Sequence, residues 1–305
     1  MPGPVGPVAP AGPTGPAGGL VLRPARPLVT TEPFDGATLF AFLRRFAVPG
    51  VEAHDPVGGP GEPLGLTRTL RLAHGPGVVR LGWDGSVLSL AYGGPAADEA
   101  EAEQRVRWLV DADAPATEVA AALGADPHLA DDVASSPGLR VPGGTDPAEA
   151  AVQALVSQQI SMAAAARCSA KLTEAYGEEL EVAGGAVHLL FPTMDALAAA
   201  DPETLPMPRA RGRALVGLAA GLASGTVVLD RERPWAEVRA SLLALPGIGP
   251  WTADVVGLRA LGQRDVLLGT DLAIRRQLEA RGITDASAWA PFRSYATVHL
   301  WRPYV

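Results

Sequence analysis

The chain has 305 residues, of which 48% are apolar, and this is enough to bury a sizeable core. Apolar runs fall short of the roughly 20 residues that a membrane span needs, and the N-terminus is rich in proline and glycine, unlike a signal peptide. A single cysteine, Cys168, excludes an internal disulfide and any cluster held by four cysteines. These features favour a cytoplasmic protein with no membrane association.

The net charge of −8 argues against a nucleic-acid partner, but the charge is unevenly distributed. From Leu205 to Val305 there are 13 Lys/Arg and 8 Asp/Glu, a net charge of +5. The remaining residues carry 12 basic against 25 acidic side chains, a net charge of −13. A basic C-terminal third is compatible with a local phosphate-binding face.

Three regions follow one another along the chain. Residues 1–27 are so rich in Pro and Gly that we expect a disordered tail. Residues 28–97 combine one amphipathic helix, ATLFAFLRRFAV, with short alternating runs that end in glycine, which predicts an α+β domain with antiparallel hairpins. Residues 98–305 are predicted to be almost entirely helical. Within this region Asp146-Pro147 is predicted to start one long helix that Gly177 ends.

The string LPGIG, residues 245–249, joins two helical runs and predicts a helix-hairpin-helix near residues 236–261. Its two glycines permit backbone angles that a side chain forbids and allow another backbone to approach closely. The N–H groups of the turn and of the following helix point outward and form an anion site suited to a DNA phosphate. An ordinary glycine-rich helix connection is the structural alternative.

Asp271 lies some twenty residues further on, in RDVLLGTDLAIRR, at the predicted start of a helix. A carboxylate there is stabilised by the helix dipole. Its simplest interpretation is an N-cap, a frequent use of aspartate. A catalytic interpretation needs the surrounding pattern as well.

Five stretches in order resemble the helix-hairpin-helix DNA glycosylase superfamily, and most of all its AlkA type. They are LFAFLRRFAVPGVE, PGLRVPGGTDPAEAAVQALVSQQIS, LPGIG, DVLLGTDLAIRR and PFRSYATVHLW. The resemblance covers the chain from about Leu28 to the C-terminus. It implies a mainly α fold with an N-terminal α+β domain and a glycosylase core of two helical subdomains. It also implies base flipping from duplex DNA and hydrolysis of the N-glycosidic bond of alkylated bases such as 3-methyladenine and 7-methylguanine.

Within that family Asp271 is the catalytic carboxylate, and Trp251 and Trp301 fall on aromatic positions of the base pocket. Val255 replaces an aromatic residue that lines the pocket of the family prototype. Tyr295 is a further pocket candidate that the family does not supply, and a core position is its simpler interpretation. Glycosylases that also cut the backbone carry a lysine where this chain has Trp251, so a monofunctional enzyme without AP lyase activity is expected.

The predicted DNA contacts lie on three segments and comprise Gly247, Ile248, Gly249, Thr252, Gln158, Gln159, Arg209 and Arg211. The prototype has an apolar wedge where this chain has Gln159. The resemblance further suggests a monovalent cation at the main-chain carbonyls of the hairpin, with no metal site formed by side chains and no cofactor.

The sequence leaves two alternative functions open. A non-catalytic DNA-binding protein uses the same hairpin but has no need for Asp271, Trp251 and Trp301 together. A related glycosylase for another damaged base shares all of these residues. The expected partner in base excision repair is double-stranded DNA that contains alkylated bases, and we expect a cytoplasmic, nucleoid-associated monomer.

Overall fold

The computed structural model describes residues 19–56, 59 and 61–305. Residues 1–18 of the predicted tail lie outside this range. The other part of that tail belongs to the fold, which corrects the predicted boundary at residue 28. Leu20 forms a bridge with Val182, and Arg26–Pro27 pairs with the edge of a sheet.

The N-terminal region is a five-stranded antiparallel sheet. Its strands are β1 (Arg26–Pro27), β2 (Glu52–His54), β3 (Leu64–Leu72), β4 (Gly75–Trp83) and β5 (Leu88–Gly93), in the spatial order β1-β5-β4-β3-β2. Leu66 pairs with Leu81, which in turn pairs with Leu90, so one face of the three central strands is apolar and buried. The predicted antiparallel hairpins are confirmed.

Helices dominate the rest of the described chain. They are α1 (Gly36–Arg45), α2 (Glu99–Leu109), α3 (Ala116–Gly124), α4 (Ala130–Ser135), α5 (Pro147–Val156), α6 (Met162–Tyr176), α7 (Met194–Ala198), α8 (Arg209–Ala223), α9 (Trp235–Leu243), α10 (Pro250–Arg259), α11 (Leu272–Ala280) and α12 (Arg293–Trp301). Helix α5 packs against both α8 and α10. Among the described residues no helix is long and apolar enough to cross a membrane.

Helix α1 belongs to two hydrophobic cores at once. Asp35 caps it by accepting a hydrogen bond from the backbone N–H of Thr38 at 3.0 Å. Leu39 and Leu43 pack into the core beneath the sheet, whereas Phe42 joins the core of the helical region. The helix therefore carries side chains of the N-terminal region into the helical part of the molecule.

A buried ionic cluster joins the sheet to the helices. Arg68 of β3 is only 4% exposed and donates hydrogen bonds to Glu52 of β2, at 2.6 Å, and to Glu149 of α5. Gln153 also donates to Glu149, at 2.7 Å, and the His54 ring lies 2.7 Å from Glu52. Burial raises the pKa of Glu149; it acts in the same sense on Glu52, but His54 and Arg68 outweigh it and lower that pKa.

The predicted long helix from Asp146 to Gly177 is interrupted, contrary to the sequence prediction. Asp146 does cap the first helix, since its Oδ1 accepts from the backbone N–H groups of Ala148 and Glu149 at 2.8 and 3.0 Å. Helix α5 ends at Val156, however, and α6 begins only at Met162. Gln159 in between has φ = 54°, a left-handed conformation that no α-helix contains.

A second small sheet follows α6 and has no counterpart in the sequence prediction. Its strands, β6 (Glu178–Glu179) and β7 (Leu189–Leu190), are antiparallel. Leu189 packs on Val48 and Val51, and its carbonyl accepts a hydrogen bond from Thr69 Oγ1 at 2.6 Å. The region after residue 98 is therefore tied back to the N-terminal sheet.

Candidate active site

The predicted helix-hairpin-helix is present as α9, a turn and α10. Gly247 in the turn has φ = 86°, and a Cβ there would lie 2.5 Å from the Cβ of Ala214 in α8. Glycine is therefore required at this position by conformation and by close packing. Gly249 is the N-cap of α10, and a Cβ there would meet nothing within 4 Å. Its missing side chain leaves the helix N-terminus open on the outer face.

Two residues predicted to bind DNA from the hairpin have buried side chains. Ile248 is 6% exposed and belongs to the helical core. Thr252 is 2% exposed, and its Oγ1 accepts a hydrogen bond from Gln158 Nε2 at 2.7 Å. The apolar side chain of Ile248 anchors the turn, and Thr252 supports a neighbouring loop, so neither side chain faces solvent.

That loop, residues 157–161, is the interruption between α5 and α6. Gln158 Nε2 also donates to the carbonyl oxygen of Gly247 at 3.0 Å. Arg211 donates to the backbone carbonyl of Gln158 at 2.6 Å. Gln159 occupies the exposed tip of the loop. The loop and the hairpin line one groove of about 870 Å³, together with Trp251 and Asp271.

Asp271 is the N-cap of α11 and also the centre of a polar cluster. Its Oδ1 accepts from the backbone N–H groups of Ala273 and Ile274 at 2.9 and 3.1 Å, which is the capping interaction. The same oxygen lies 3.3 Å from Nε1 of Trp301. Its Oδ2 accepts from Nε1 of Trp251 at 2.8 Å. Oδ1 therefore caps the helix and also meets the indole of Trp301, whereas the indole of Trp251 binds Oδ2.

A cleft of about 390 Å³ opens beside Asp271. Its volume is in the range of pockets that hold small molecules. Trp251, Val255 and Trp301 all line it, and their role in holding a base stays a prediction. Tyr295 does not: it is 1% exposed and lines another cavity, beside Asp111. Burial first, and the charge of Asp111 second, raise the pKa of Tyr295.

Several lining residues were missed by sequence reasoning. Phe42 comes from α1 and Phe46 is the C-cap residue of that helix, and both precede Trp251 by more than 200 residues. Their spacing of four within an amphipathic helix was visible, but which side chains it would face was not. Arg259, four residues after Val255 in α10, also lines the cleft. The sequence signal for Arg259 is its i, i+4 spacing, which continues the row from Trp251 through Val255.

The charged rim of the cleft includes Arg45 and Arg276, both exposed. Of the arginines predicted to touch DNA, Arg211 holds the 157–161 loop, and Arg209 is exposed and pairs with Glu203 at 2.8 Å. Among the described residues there is no cluster of three or more His, Cys, Asp or Glu side chains that could hold a metal ion. The Gly247 carbonyl is bonded to Gln158, and a cation at the hairpin carbonyls stays a prediction.

Known proteins resemble this chain in sequence. Residues 26–146 match the family described as the AlkA N-terminal domain. Over 279 residues, 88% of the chain, the sequence is 39% identical to the probable bifunctional transcriptional activator/DNA repair enzyme AlkA of Mycobacterium tuberculosis, of which 55% is covered. It is 37% identical over 177 residues to DNA-3-methyladenine glycosylase 2 of Escherichia coli, covering 55% of this chain and 61% of that protein. The chain thus spans somewhat more than half the length of these relatives.

Solved structures agree with the sequence comparisons on the fold. The 3-methyladenine DNA-glycosylase from Archaeoglobus fulgidus superimposes with a TM-score of 0.74 at 20% identity, covering 92% of this chain and 99% of that one. Apo 8-oxoguanine glycosylase/lyase from Clostridium acetobutylicum gives a TM-score of 0.62 at 18% identity, over 82% and 99% of the two chains. The fold is that of the helix-hairpin-helix DNA glycosylases. In sequence the chain is similar to proteins of the AlkA type, over the matched N-terminal domain and over part of each relative.

Proposed function

We propose that the protein is a monofunctional DNA glycosylase that releases alkylated bases, such as 3-methyladenine and 7-methylguanine, from duplex DNA in base excision repair. The observation that carries this proposal is the convergence of two indole N–H groups, from Trp251 and Trp301, on the carboxylate of Asp271 at one edge of a base-sized cleft. A DNA-binding protein without catalytic activity has no use for this arrangement. The partner is therefore duplex DNA with a damaged base.

Asp271 stabilises the positive charge that develops on the sugar. As the bond from C1′ to the base nitrogen breaks, its electron pair leaves with the base and the sugar becomes cationic. A fixed carboxylate at that point lowers the energy of the transition state, because it is already oriented by its hydrogen bonds. Water then adds to C1′ and loses one proton to the solvent, which completes the hydrolysis. Alkylation at N3 or N7 makes the base a good leaving group without a general acid.

The base must leave the stack before this chemistry, at a cost of a few kcal/mol. The hairpin offers the N-terminus of α10 to a phosphate beside the groove. Gln159, at the exposed tip of its loop, is placed to enter the gap left by the flipped base. A polar amide fills that gap by hydrogen bonding to the unpaired partner base, since it lacks the apolar surface for stacking.

Trp251 supports hydrolysis without strand cleavage. A glycosylase with lyase activity needs an amine to attack C1′ and form a Schiff base. Here the position beside Asp271 is an indole whose N–H is bonded to the carboxylate at 2.8 Å. Base release without β-elimination products is the expected result, and substantial strand cleavage in the absence of added base contradicts it.

The decisive experiment incubates methylated duplex DNA with the protein and identifies the released bases by mass. Asp271→Asn is the test variant, because asparagine is as good an N-cap as aspartate and preserves α11. We expect base release to fall about 100-fold or more while the unfolding midpoint changes little. Near-normal release by folded Asp271→Asn overturns the proposed mechanism.

Two other assignments are outcomes of the same experiment. Preferential binding of alkylated or abasic duplexes without any base release indicates a non-catalytic binding protein. Release only from duplexes that carry an oxidised or deaminated base indicates a glycosylase for another lesion. The proposal includes a monomer in the cytoplasm, associated with the nucleoid, and sedimentation of the protein alone and with a short duplex tests the stoichiometry.

A further inference from the structure

Helix α10 presents three side chains to the cleft in succession. Trp251, Val255 and Arg259 are spaced by four residues, so they lie along one face of the helix, and all three line the cleft. At 1.5 Å per residue, the Cα of Arg259 lies about 12 Å along the helix from that of Trp251. Since Trp251 contacts Asp271, the reacting sugar belongs at one end of this row and Arg259 marks the other.

Arg259 is buried against an aromatic ring at the inner end of the cleft. The side chain is 5% exposed, and its guanidinium carbon lies 3.8 Å from the ring centroid of Phe46. Its Nε has no hydrogen-bond partner among the described residues. The carboxylates of Glu52 and Glu149 are both bound by Arg68.

Burial lowers the pKa of Arg259 to about 10, so the group keeps its positive charge at neutral pH. Val255 next to it is small, whereas an aromatic residue there would separate Arg259 from the cleft. A buried guanidinium whose Nε lacks an acceptor is costly unless a ligand supplies one. The inner end of the cleft is therefore suited to a ligand that carries a hydrogen-bond acceptor.

A flipped purine has a defined orientation in this cleft. In the proposed complex the nitrogen attached to the sugar lies beside Asp271, so the far edge of the purine, which carries the substituent at position 6, faces the inner end. In guanine this substituent is an oxygen, an acceptor, and in adenine it is an amino group, a donor. Arg259 has only donors to offer.

We propose that Arg259 is a specificity-determining residue that donates hydrogen bonds to the oxygen at position 6 of a flipped purine, so that the enzyme favours damaged 6-oxopurines over damaged 6-aminopurines. This inference rests on the proposed glycosylase function and refines its substrate class. The hydrogen bond from Arg259 also helps the base to leave. When the bond to C1′ breaks, the electron pair moves into the base. In a neutral 6-oxopurine the resulting negative charge reaches the oxygen that Arg259 holds.

The first test uses methylated duplex DNA, which contains 7-methylguanine and 3-methyladenine together. The initial rates of release of the two bases are compared for the natural protein and for Arg259→Met, which keeps the volume of the side chain and removes its donors. We expect the ratio of 7-methylguanine to 3-methyladenine release to fall about tenfold in the variant. Arg276→Met, which removes an exposed arginine from the rim of the same cleft, is the matched control and should lower both rates by the same factor.

A second substrate separates recognition from structural support. Release of hypoxanthine, a neutral 6-oxopurine, from a synthetic duplex should fall more steeply in Arg259→Met than release of 7-methylguanine, because the neutral base depends on Arg259 for its departure. If Arg259→Met does not fold, the ratio is measured in Val255→Phe, which covers the inner end and should lower the ratio, and in Arg259→Lys, which keeps a donor and should lower it less.

The outcomes distinguish this inference from the function on which it rests. If the natural protein releases no base from either substrate, the glycosylase function fails and the inference falls with it. If it releases bases and a folded Arg259→Met lowers all rates equally, the glycosylase function stands and Arg259 has no part in specificity.

Discussion

Asp271 uses its two carboxylate oxygens for different tasks. Oδ1 is occupied by the backbone of α11, and Oδ2 is held by the indole of Trp251. The helix therefore fixes the position of the carboxylate, and the indole fixes its rotation. In the proposed mechanism, fixed dipoles of this kind avoid reorganisation when charge develops on the sugar. A residue whose type is explained by capping alone can thus still be the reactive group.

The contribution of the indole can be measured by replacing Trp251 with Phe. The ring is kept, but the hydrogen bond of 2.8 Å to Oδ2 is lost. Hydrogen bonds to charged groups contribute about 1.5 to 3 kcal/mol, so kcat for base release should fall about tenfold to 100-fold. Trp301→Phe is the control, since its longer contact of 3.3 Å predicts a smaller loss. Equal losses in the two variants, or none in Trp251→Phe, contradict this role.

At the scale of elements, the two glycines of the hairpin have separate functions. Gly247→Ala should destabilise the fold by about 1 to 3 kcal/mol, because alanine is strained at φ = 86° and its Cβ meets Ala214. Gly249→Ala should change stability by less than about 0.5 kcal/mol, since open space surrounds its Cβ. The affinity of Gly249→Ala for duplex DNA should fall instead, because the added methyl group occupies the face that a phosphate is proposed to approach.

Urea unfolding and fluorescence anisotropy with a labelled duplex distinguish the two variants. The expected pattern is a lower unfolding midpoint for Gly247→Ala and weaker binding at unchanged stability for Gly249→Ala. A Gly249→Ala variant that binds DNA like the natural protein shows that the N-terminus of α10 does not contact the backbone.

The elements also show why the sequence predicts some of the site and misses the rest. The hairpin and the helix start at Asp271 are local features, and their glycine, proline and aspartate signals are sufficient. The wall formed by Phe46 and the burial of Ile248 depend on packing between distant segments, which no local pattern contains. Between Asp146 and Gly177 the sequence keeps a helical pattern, although the structure is interrupted there. Gln158, in the interruption, is hydrogen-bonded to the distant hairpin, and the local pattern does not contain these bonds.

For the whole molecule, the buried cluster around Arg68 couples the sheet to the helices. Arg68→Met leaves the carboxylates of Glu52 and Glu149 without their shared cation, and we expect a loss of about 3 to 5 kcal/mol in the free energy of unfolding. Arg71→Met is the control on the same strand, because its ion pair with Glu178 is exposed and should contribute less than about 1 kcal/mol. Similar effects of both substitutions on urea unfolding argue against the coupling.

At the scale of the whole molecule, the proposed binding of DNA depends on the uneven distribution of charge along the chain. Although the net charge is −8, the basic residues Arg45 and Arg276 lie at the rim of the cleft. We expect duplex affinity to fall at least about tenfold between roughly 50 and 200 mM salt. Arg276→Gln should reduce the slope of log affinity against log salt by about one, and Arg71→Gln, on the sheet, should leave it unchanged. A slope near zero for the natural protein contradicts a phosphate interface.

The side chain of Gln158 has a consequence for where along a strand the enzyme acts. It bonds to both Gly247 and Thr252, so the tip residue Gln159 and the hairpin form one rigid unit. With the proposed DNA contacts, the gripped phosphate and the opened base pair are separated by a constant number of nucleotides. In the proposed complex the hairpin thus sets the step of the search: sliding by one phosphate would present the next nucleotide, and each base along a strand would be sampled in turn.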